Sequence, residues 1–564
     1  MKIKLTKSLL TFLTIAAAST AQAGYISPTT IWTEAGEMQL GTNPDNVGGY
    51  TIDVKDGDSE ATVSKDVVTT SGLFVRDGKL TIGGTDTHNT VKINPVGGGQ
   101  LAYQNGTPTV LNVAGKDAVV VIDNATVTTD YETASAVGGP DGNGTLIIQN
   151  GGKYDGKNQY YFFVGYKSYR LEGETPDYSG NGQNQQISHA TTNNVGDSRV
   201  DADGNRDFSN RYEGTYTKGV GGTEFGRGVV TVTGNSEFNA TGIKEFCMGE
   251  AELNIRENSI VTTSASPVCL GNAEGGTTVV NVESGSVFDI NGQLQTSSAK
   301  NTKTIINVNN ATMNLNNKKG AFLGVPQFGT ESGTTEFNLQ DGGRLNVSEE
   351  LYIGYKSEAT MTIAKTAIIK DFGNIHDGTT GYDESYLGTP QDRLIVSAYG
   401  ILENAGTLDI YTVVDGGEFT MVDGAVAAAL TATTGTINLS GEVTFTGTVE
   451  LGSIEKASGA LTINIEQGST IHFYDEVTLS NAVINVLLND ESYEGEQLFT
   501  IASVDGLIPD TLKDIDLQLR FNDSTVNTVA MSAGYVATKT IPEPTTATLS
   551  LLALAGLAAR RRRH

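Results

Sequence analysis

The sequence predicts an all-β protein, a right-handed parallel β-helix or looser β-solenoid, on three observations. Short runs with apolar residues at every second position recur along most of the chain. Turns rich in Gly, Asn and Ser separate them. Two or three apolar residues followed by Gly then return at a loose period of 22–30 residues. The composition agrees: 68 of 564 residues are Gly, about 12 % against the usual ~7 %, and aromatic residues make up only 7 %. Such a chain forms many short strands broken by turns.

The strands come first. Thr145–Tyr154, Val229–Phe238, Thr277–Phe288, Thr304–Met313 and Thr334–Leu345 each hold an alternating run, a polar turn and the start of a second apolar run. Alternation puts one side of each strand inward and the other outward. The apolar-Gly signature closes these units at Phe163-Val164-Gly165, Cys247-Met248-Gly249, Cys269-Leu270-Gly271, Phe322-Leu323-Gly324 and Tyr352-Ile353-Gly354. The gap of 53 residues between Gly271 and Gly324 holds two periods, with a degenerate unit near Leu294. The Gly marks a corner where no side chain fits.

A unit of this size cannot bury its own apolar face, and stacking units solves the problem. At about 25 residues per coil the chain makes ~20 coils and a rod ~95 Å long. A stack of β-sandwiches uses similar strands and is the alternative architecture. The rhythm around Gly144–Gly152 is similar to that of autotransporter passenger domains and related adhesin-like solenoids. An autotransporter would close with a membrane barrel of ~10-residue alternating strands, and this sequence carries a different tail. Residues 484–540 read as a C-terminal β cap, with strands at Val483–Leu488, Gln497–Ile501, Leu517–Phe521 and Tyr535–Thr538. Ala425–Leu430 reads as a short helix, and 154–228 as a polar, Tyr-rich insertion in the repeat region 24–483.

The two ends carry targeting information. Residues 1–23 have the order of a secretory signal peptide: Lys2, Lys4 and Lys7, the uncharged run Ser8–Ala18, then Ala21-Gln22-Ala23 for signal peptidase. Residues 541–564 hold Pro542-Glu543-Pro544, the uncharged segment Thr545–Ala559, and Arg560, Arg561, Arg562 and Arg563. The prolines keep the first element extended. The segment is short for a membrane helix, but flanking residues at the interfaces make a span feasible, with the arginines on the cytoplasmic side. This tripartite tail resembles the PEP-CTERM sorting signal of Gram-negative bacteria. The resemblance implies recognition of Pro542-Glu543-Pro544 by an exosortase, with the single transmembrane helix and arginines holding the chain until processing.

Charge narrows the partners. The formal net charge is −28. Of 37 basic and 65 acidic residues, seven basic and one acidic lie in the two ends, which leaves residues 24–540 at −34. Such a surface repels nucleic acid and anionic membranes.

Few residues suggest chemistry. Within the insertion, Asp201, Asp203, Asn205 and Asp207 place oxygen ligands at every second position, the start of a Ca²⁺ loop. Arg206 stands where such loops turn on Gly, and Tyr212 stands where they carry Glu, so a solvated acidic turn is the competing reading and no cofactor is expected. Tyr160, Tyr161, Tyr166, Tyr169 and Tyr178 form a cluster suited to sugar rings or to an edge strand. Cys247 and Cys269 fall at the same place in consecutive units, as a disulfide or a buried thiol pair. The five histidines have no metal spacing, and neither a nucleophile elbow nor a phosphate loop is present. Glu349-Glu350 and Asp383-Glu384 are sequence neighbours, which on a strand would point to opposite sides and make poor acid–base pairs.

The expected function is therefore non-enzymatic: an exported cell-surface or extracellular-matrix solenoid of a Gram-negative bacterium, adhesive or structural. The alternatives are a β-helix polysaccharide lyase or hydrolase and a glycan-binding protein, both of which engage extracellular polysaccharide.

Overall fold

Alternating side chains build a solenoid, seen here in a computed structural model. It describes most of residues 30–540. Residues 1–29 and 541–564, the segments 94–109, 170–185, 189–225 and 372–391, and shorter stretches lie outside the described residues.

Each coil contributes three short strands, one to each of three faces. In one coil these are Ala251–Ile255, Ile260–Thr263 and Val268–Leu270. The next coil lays Thr277–Glu283, Val287–Ile290 and Leu294–Thr296 on them in parallel. The second face is a sheet of 16 strands. The first and third faces merge into one sheet of 32 strands, because Tyr411–Met421 and Leu430–Leu439 each run round the corner between them. Parallel stacking at about 4.8 Å gives sixteen rungs a length of about 70 Å. This is shorter than the ~20 coils expected from the repeat length, because long connections consume residues without adding rungs.

Inward positions form one core. Leu253, Val280, Ile306 and Phe337 stack on the first face, and Val261, Phe288, Met313 and Leu345 on the second, all essentially without exposure. Outward positions of the first face carry amide ladders. Asn281 donates to Asn254 (2.8 Å), Asn307 to Asn281 (2.9 Å) and Asn338 to Asn307 (2.9 Å). Identical side chains repeat their geometry at each rung, so Asn281 and Asn307 each donate to one neighbour and accept from the other.

Corners explain the apolar-Gly signature. Gly165 has φ +59°, and a Cβ there would lie 1.7 Å from the Glu250 carbonyl oxygen. Gly354 has φ +70°, with the Gly400 nitrogen 2.1 Å from a Cβ position. The degenerate unit is Leu294–Thr296 followed by Ser297, whose φ of +52° fills the same corner. Its hydroxyl donates to the Thr334 carbonyl at 2.6 Å, which satisfies a polar group buried there.

Two sequence expectations need correction. Ala425–Leu430 is not helical: Val426–Ala427 is a strand of the second face, and Leu430 begins the next strand. Ladder pairing outweighs alanine's helix preference. Residues 154–164 belong to a coil rather than to the insertion. Tyr154 sits in strand Lys153–Asp155 with no exposure, and Tyr161–Val164 is a rung of the third face. Burial raises the Tyr154 hydroxyl well above its usual range, although Ser135 and Gln159 hydrogen-bond to it at 3.0 and 2.9 Å.

Near the C-terminal end, Ala482–Leu487 and Phe499–Ser503 continue the ladders in parallel. Asp516–Phe521 then adds to Ala482–Leu487, Ser524–Ala530 folds back on it antiparallel, and Val536–Thr540 joins Phe499–Ser503. A short helix, Asp510–Lys513, stands between them.

Candidate binding surface

The connections single out the third face. From Glu60–Val63 to Thr470–Phe473, every corner between the first and second faces is one to five residues long. The longest connections open instead beside the third face. One edge carries 94–110 and 372–392, and the other carries 165–227 and 324–333. Long connections in a solenoid concentrate on the side where function resides.

The outward residues of this face form a register-aligned column: Ala136, Phe163, Cys247, Cys269, Gln295, Phe322, Tyr352, Ile395 and Val413. It is unusually apolar for an outer surface. In its first part, Ala134, Ala136, Phe163, Cys247 and Cys269 make a buried cluster separate from the main core. Tyr161 stacks on Phe163 with centroids 5.7 Å apart.

Cys247 and Cys269 are direct register partners on adjacent parallel strands, as their spacing implied. Both are buried. Both readings open in the sequence, a disulfide and a buried thiol pair, require this adjacency, although a disulfide fits directly stacked parallel neighbours poorly.

Further along, the column opens to solvent. Phe322 and Tyr352 stack at 5.1 Å and 8°. Tyr355 stands 5.1 Å from both rings at steep angles and is 38 % exposed. The Tyr352 hydroxyl donates to Glu350 Oε2 at 2.6 Å. Arg393 Nε donates to Glu350 Oε1 at 2.8 Å, and a second guanidinium nitrogen reaches the same oxygen. Burial, then the bond to Glu350, raises the Tyr352 hydroxyl above its usual range, so it stays protonated and donates.

Beside this patch, the Glu349 amide donates to Asp392 Oδ1 at 2.8 Å. Burial, and then the neighbouring Asp371 carboxyl, push Asp392 up to about 7. Asp371 and Asp392 bracket the connection 372–391, so the loop's two ends meet through their carboxyl groups. Glu349 and Glu350 do not share a strand geometry: Glu349 is a corner residue at φ +67°, whereas Glu350 begins strand Glu350–Ile353.

The remaining sequence candidates fall elsewhere. Pro542, Glu543, Pro544 and Arg560–Arg563 lie outside the described residues, as do residues 1–23 and Asp201, Asp203, Asn205 and Asp207. Tyr160, Tyr166 and Tyr178 lie outside them too, and Tyr169 is described only as part of strand Lys167–Tyr169. Among the described residues no helix is long and apolar enough to cross a membrane, and no group of three or more His, Cys, Asp or Glu side chains is placed to hold a metal.

Sequence reading did not find Phe322, Tyr352, Tyr355, Glu350 and Arg393 as a set. The recurring apolar-Gly signature did mark Phe322 and Tyr352, and asking which of its residues face outward would have paired them. Nothing in the sequence joins Asp371 to Asp392.

No protein-family model matches the chain, and no curated protein matches it in sequence.

Proposed function

We propose that this chain is an exported rod of the cell surface or extracellular matrix that works by presenting its third face, not by catalysis. The observation that carries the reading is the confinement of the long connections to the edges of that face in the ladder from 60 to 473, beside an apolar outward column. A rigid parallel ladder keeps such a column straight over many coils. The targeting half of the proposal rests on the sequence: a signal peptide at 1–23 cleaved by signal peptidase, and a PEP-CTERM-like tail at 541–564 that holds the chain in the membrane for an exosortase. The exposed antiparallel strand Ser524–Ala530 fits the role of an end cap, because its hydrogen bonding occupies the last edge of the first face.

The test is fractionation of the native host, with mass spectrometry of the C-terminus. The chain should be surface-exposed and lack Arg560–Arg563, and changing Pro542-Glu543-Pro544 should leave the tail intact. An unprocessed tail in both, or an intracellular chain, sinks the targeting proposal. Release of oligosaccharides from extracellular polysaccharide by the purified chain would favour the lyase or hydrolase reading instead.

A further inference from the structure

We infer that the open part of the third face, around Tyr355, is a subsite for a neutral polysaccharide chain. Tyr355 is its stacking platform, and the Glu350–Arg393 pair binds its hydroxyls. The inference rests on the surface-rod reading above and names the class of ligand that the rod presents itself to.

The geometry of the three rings comes first. Phe322 and Tyr352 stack on each other along the rod axis, so their mutual faces are occupied. Tyr355 is 5.1 Å from both and inclined by 64° and 72°. Both contacts are edge-to-face pairs. Tyr355 keeps 38 % of its surface exposed, and what stands over its ring is an exposed side chain. The ammonium of the exposed Lys356 lies 5.1 Å from the Tyr355 centroid. A cation there shows an electron-rich face, and an exposed Lys leaves at little cost.

A pyranose ring has the complementary surface. Its C–H groups carry slight positive charge and pack on a negative ring face. Its hydroxyls need partners that both donate and accept. Glu350 and Arg393 supply them within the same patch. Their side chains remain 30 % and 23 % exposed. Among the described residues, two of the five guanidinium N–H groups are used on Glu350, which leaves three donors, and the carboxylate, which also accepts from Tyr352, keeps one lone pair on Oε2. Hydroxyls on adjacent carbons can donate to the carboxylate and accept from the guanidinium.

Charge selects among polysaccharides. Residues 24–540 carry a net −34 from the sequence, and Arg393 is neutralised by Glu350. An anionic chain would meet repulsion from this net negative charge, whereas a neutral chain pays no such cost. Spacing also fits. Rungs recur at about 4.8 Å, close to the length of one sugar residue in an extended chain, so a glycan lying along the rod passes about one residue per coil.

The test is affinity electrophoresis of the full chain through native gels containing dextran, galactomannan or xyloglucan, with alginate as the anionic comparison. At least one neutral polymer should retard the protein, and alginate should not. Tyr355→Ala should weaken retardation about tenfold or more. Tyr355→Trp, which keeps a ring there, should bind at least as well as the parent. Arg393→Gln should weaken binding with Tyr355 intact. The inference is overturned if no neutral polymer retards the chain, if alginate retards it as strongly, if Tyr355→Ala binds unchanged, or if Tyr355→Trp abolishes binding. Protease shaving of intact host cells separates this from the reading beneath it. A chain that is shaved from the surface yet ignores all neutral polymers loses only the subsite, and a chain that resists shaving because it is intracellular loses the surface role.

Discussion

The column on the third face has two parts that share a rung pattern and differ in surroundings. From Ala134 to Cys269 its outward side chains are buried almost completely. From Phe322 to Tyr355 comparable outward positions are half-open or exposed. The inward neighbours are alike in both: Phe162, Phe246 and Leu270 in the first part, and Leu323, Leu351 and Ile353 in the second, have almost no exposure. The interior of a solenoid is thus set by the repeat, and its exterior by what lies beside each coil.

The largest effects should show how alike the interiors are. Phe246→Ala and Phe337→Ala, one inward residue near each part, should each cost about 3–5 kcal/mol in denaturant unfolding. A difference of several kcal/mol between them would break the claim of a uniform core.

Outward residues should separate the two parts. Phe163→Ala should cost nearly as much as a core change, about 3 kcal/mol, because its ring has no exposure. Phe322→Ala should cost about 1 kcal/mol, since it loses mainly its contact with Tyr352 and Tyr355. Equal costs would remove the distinction.

Thiol chemistry sharpens it further. Cys247 and Cys269 should resist a soluble disulfide reagent until the chain is unfolded, whereas a thiol introduced by Tyr352→Cys should react in the native state. Fast native reaction of both natural thiols would contradict the burial of the first part.

The smallest effect is a pH dependence beside the open patch. The Asp392 carboxyl is raised to about 7, above the unfolded value near 3.9. The protonated form is therefore the one the fold favours. Its contribution is complete below about 4 and is lost as pH rises through about 7. Asp392→Asn keeps an acceptor for the Glu349 amide and removes the charge. The fall in thermal midpoint between pH 5 and pH 8 should be smaller in this variant than in the parent. An unchanged fall would show that Asp392 does not titrate in that range.

How far the sequence could be read follows the same division. Alternation in Thr277–Glu283 or Thr334–Leu339 states which side chains go inward, and the apolar-Gly signature locates corners at Gly165 and Gly354. It also aligned Cys247 with Cys269, because equal positions in consecutive coils become neighbours. Reading failed where local preference and the ladder disagree, as at Ala425–Leu430, and where coil length varies. The start of the insertion was misplaced because the Tyr-rich run 154–164 looks polar, although Tyr154 is buried through hydrogen bonds that only the folded coil supplies.

By itself the sequence determined a stacked all-β rod with an acidic surface, since period-2 apolarity and recurring corners leave little else that buries every coil. Only the tertiary structure decided that, from 60 to 473, the long connections gather beside one face. It alone brought Glu350 to Arg393 and Tyr352, and Asp371 to Asp392. The physical reason is that a repeat fixes the direction of each side chain relative to its own strand, whereas contact across a connection depends on how many residues the chain spends before it returns to the ladder.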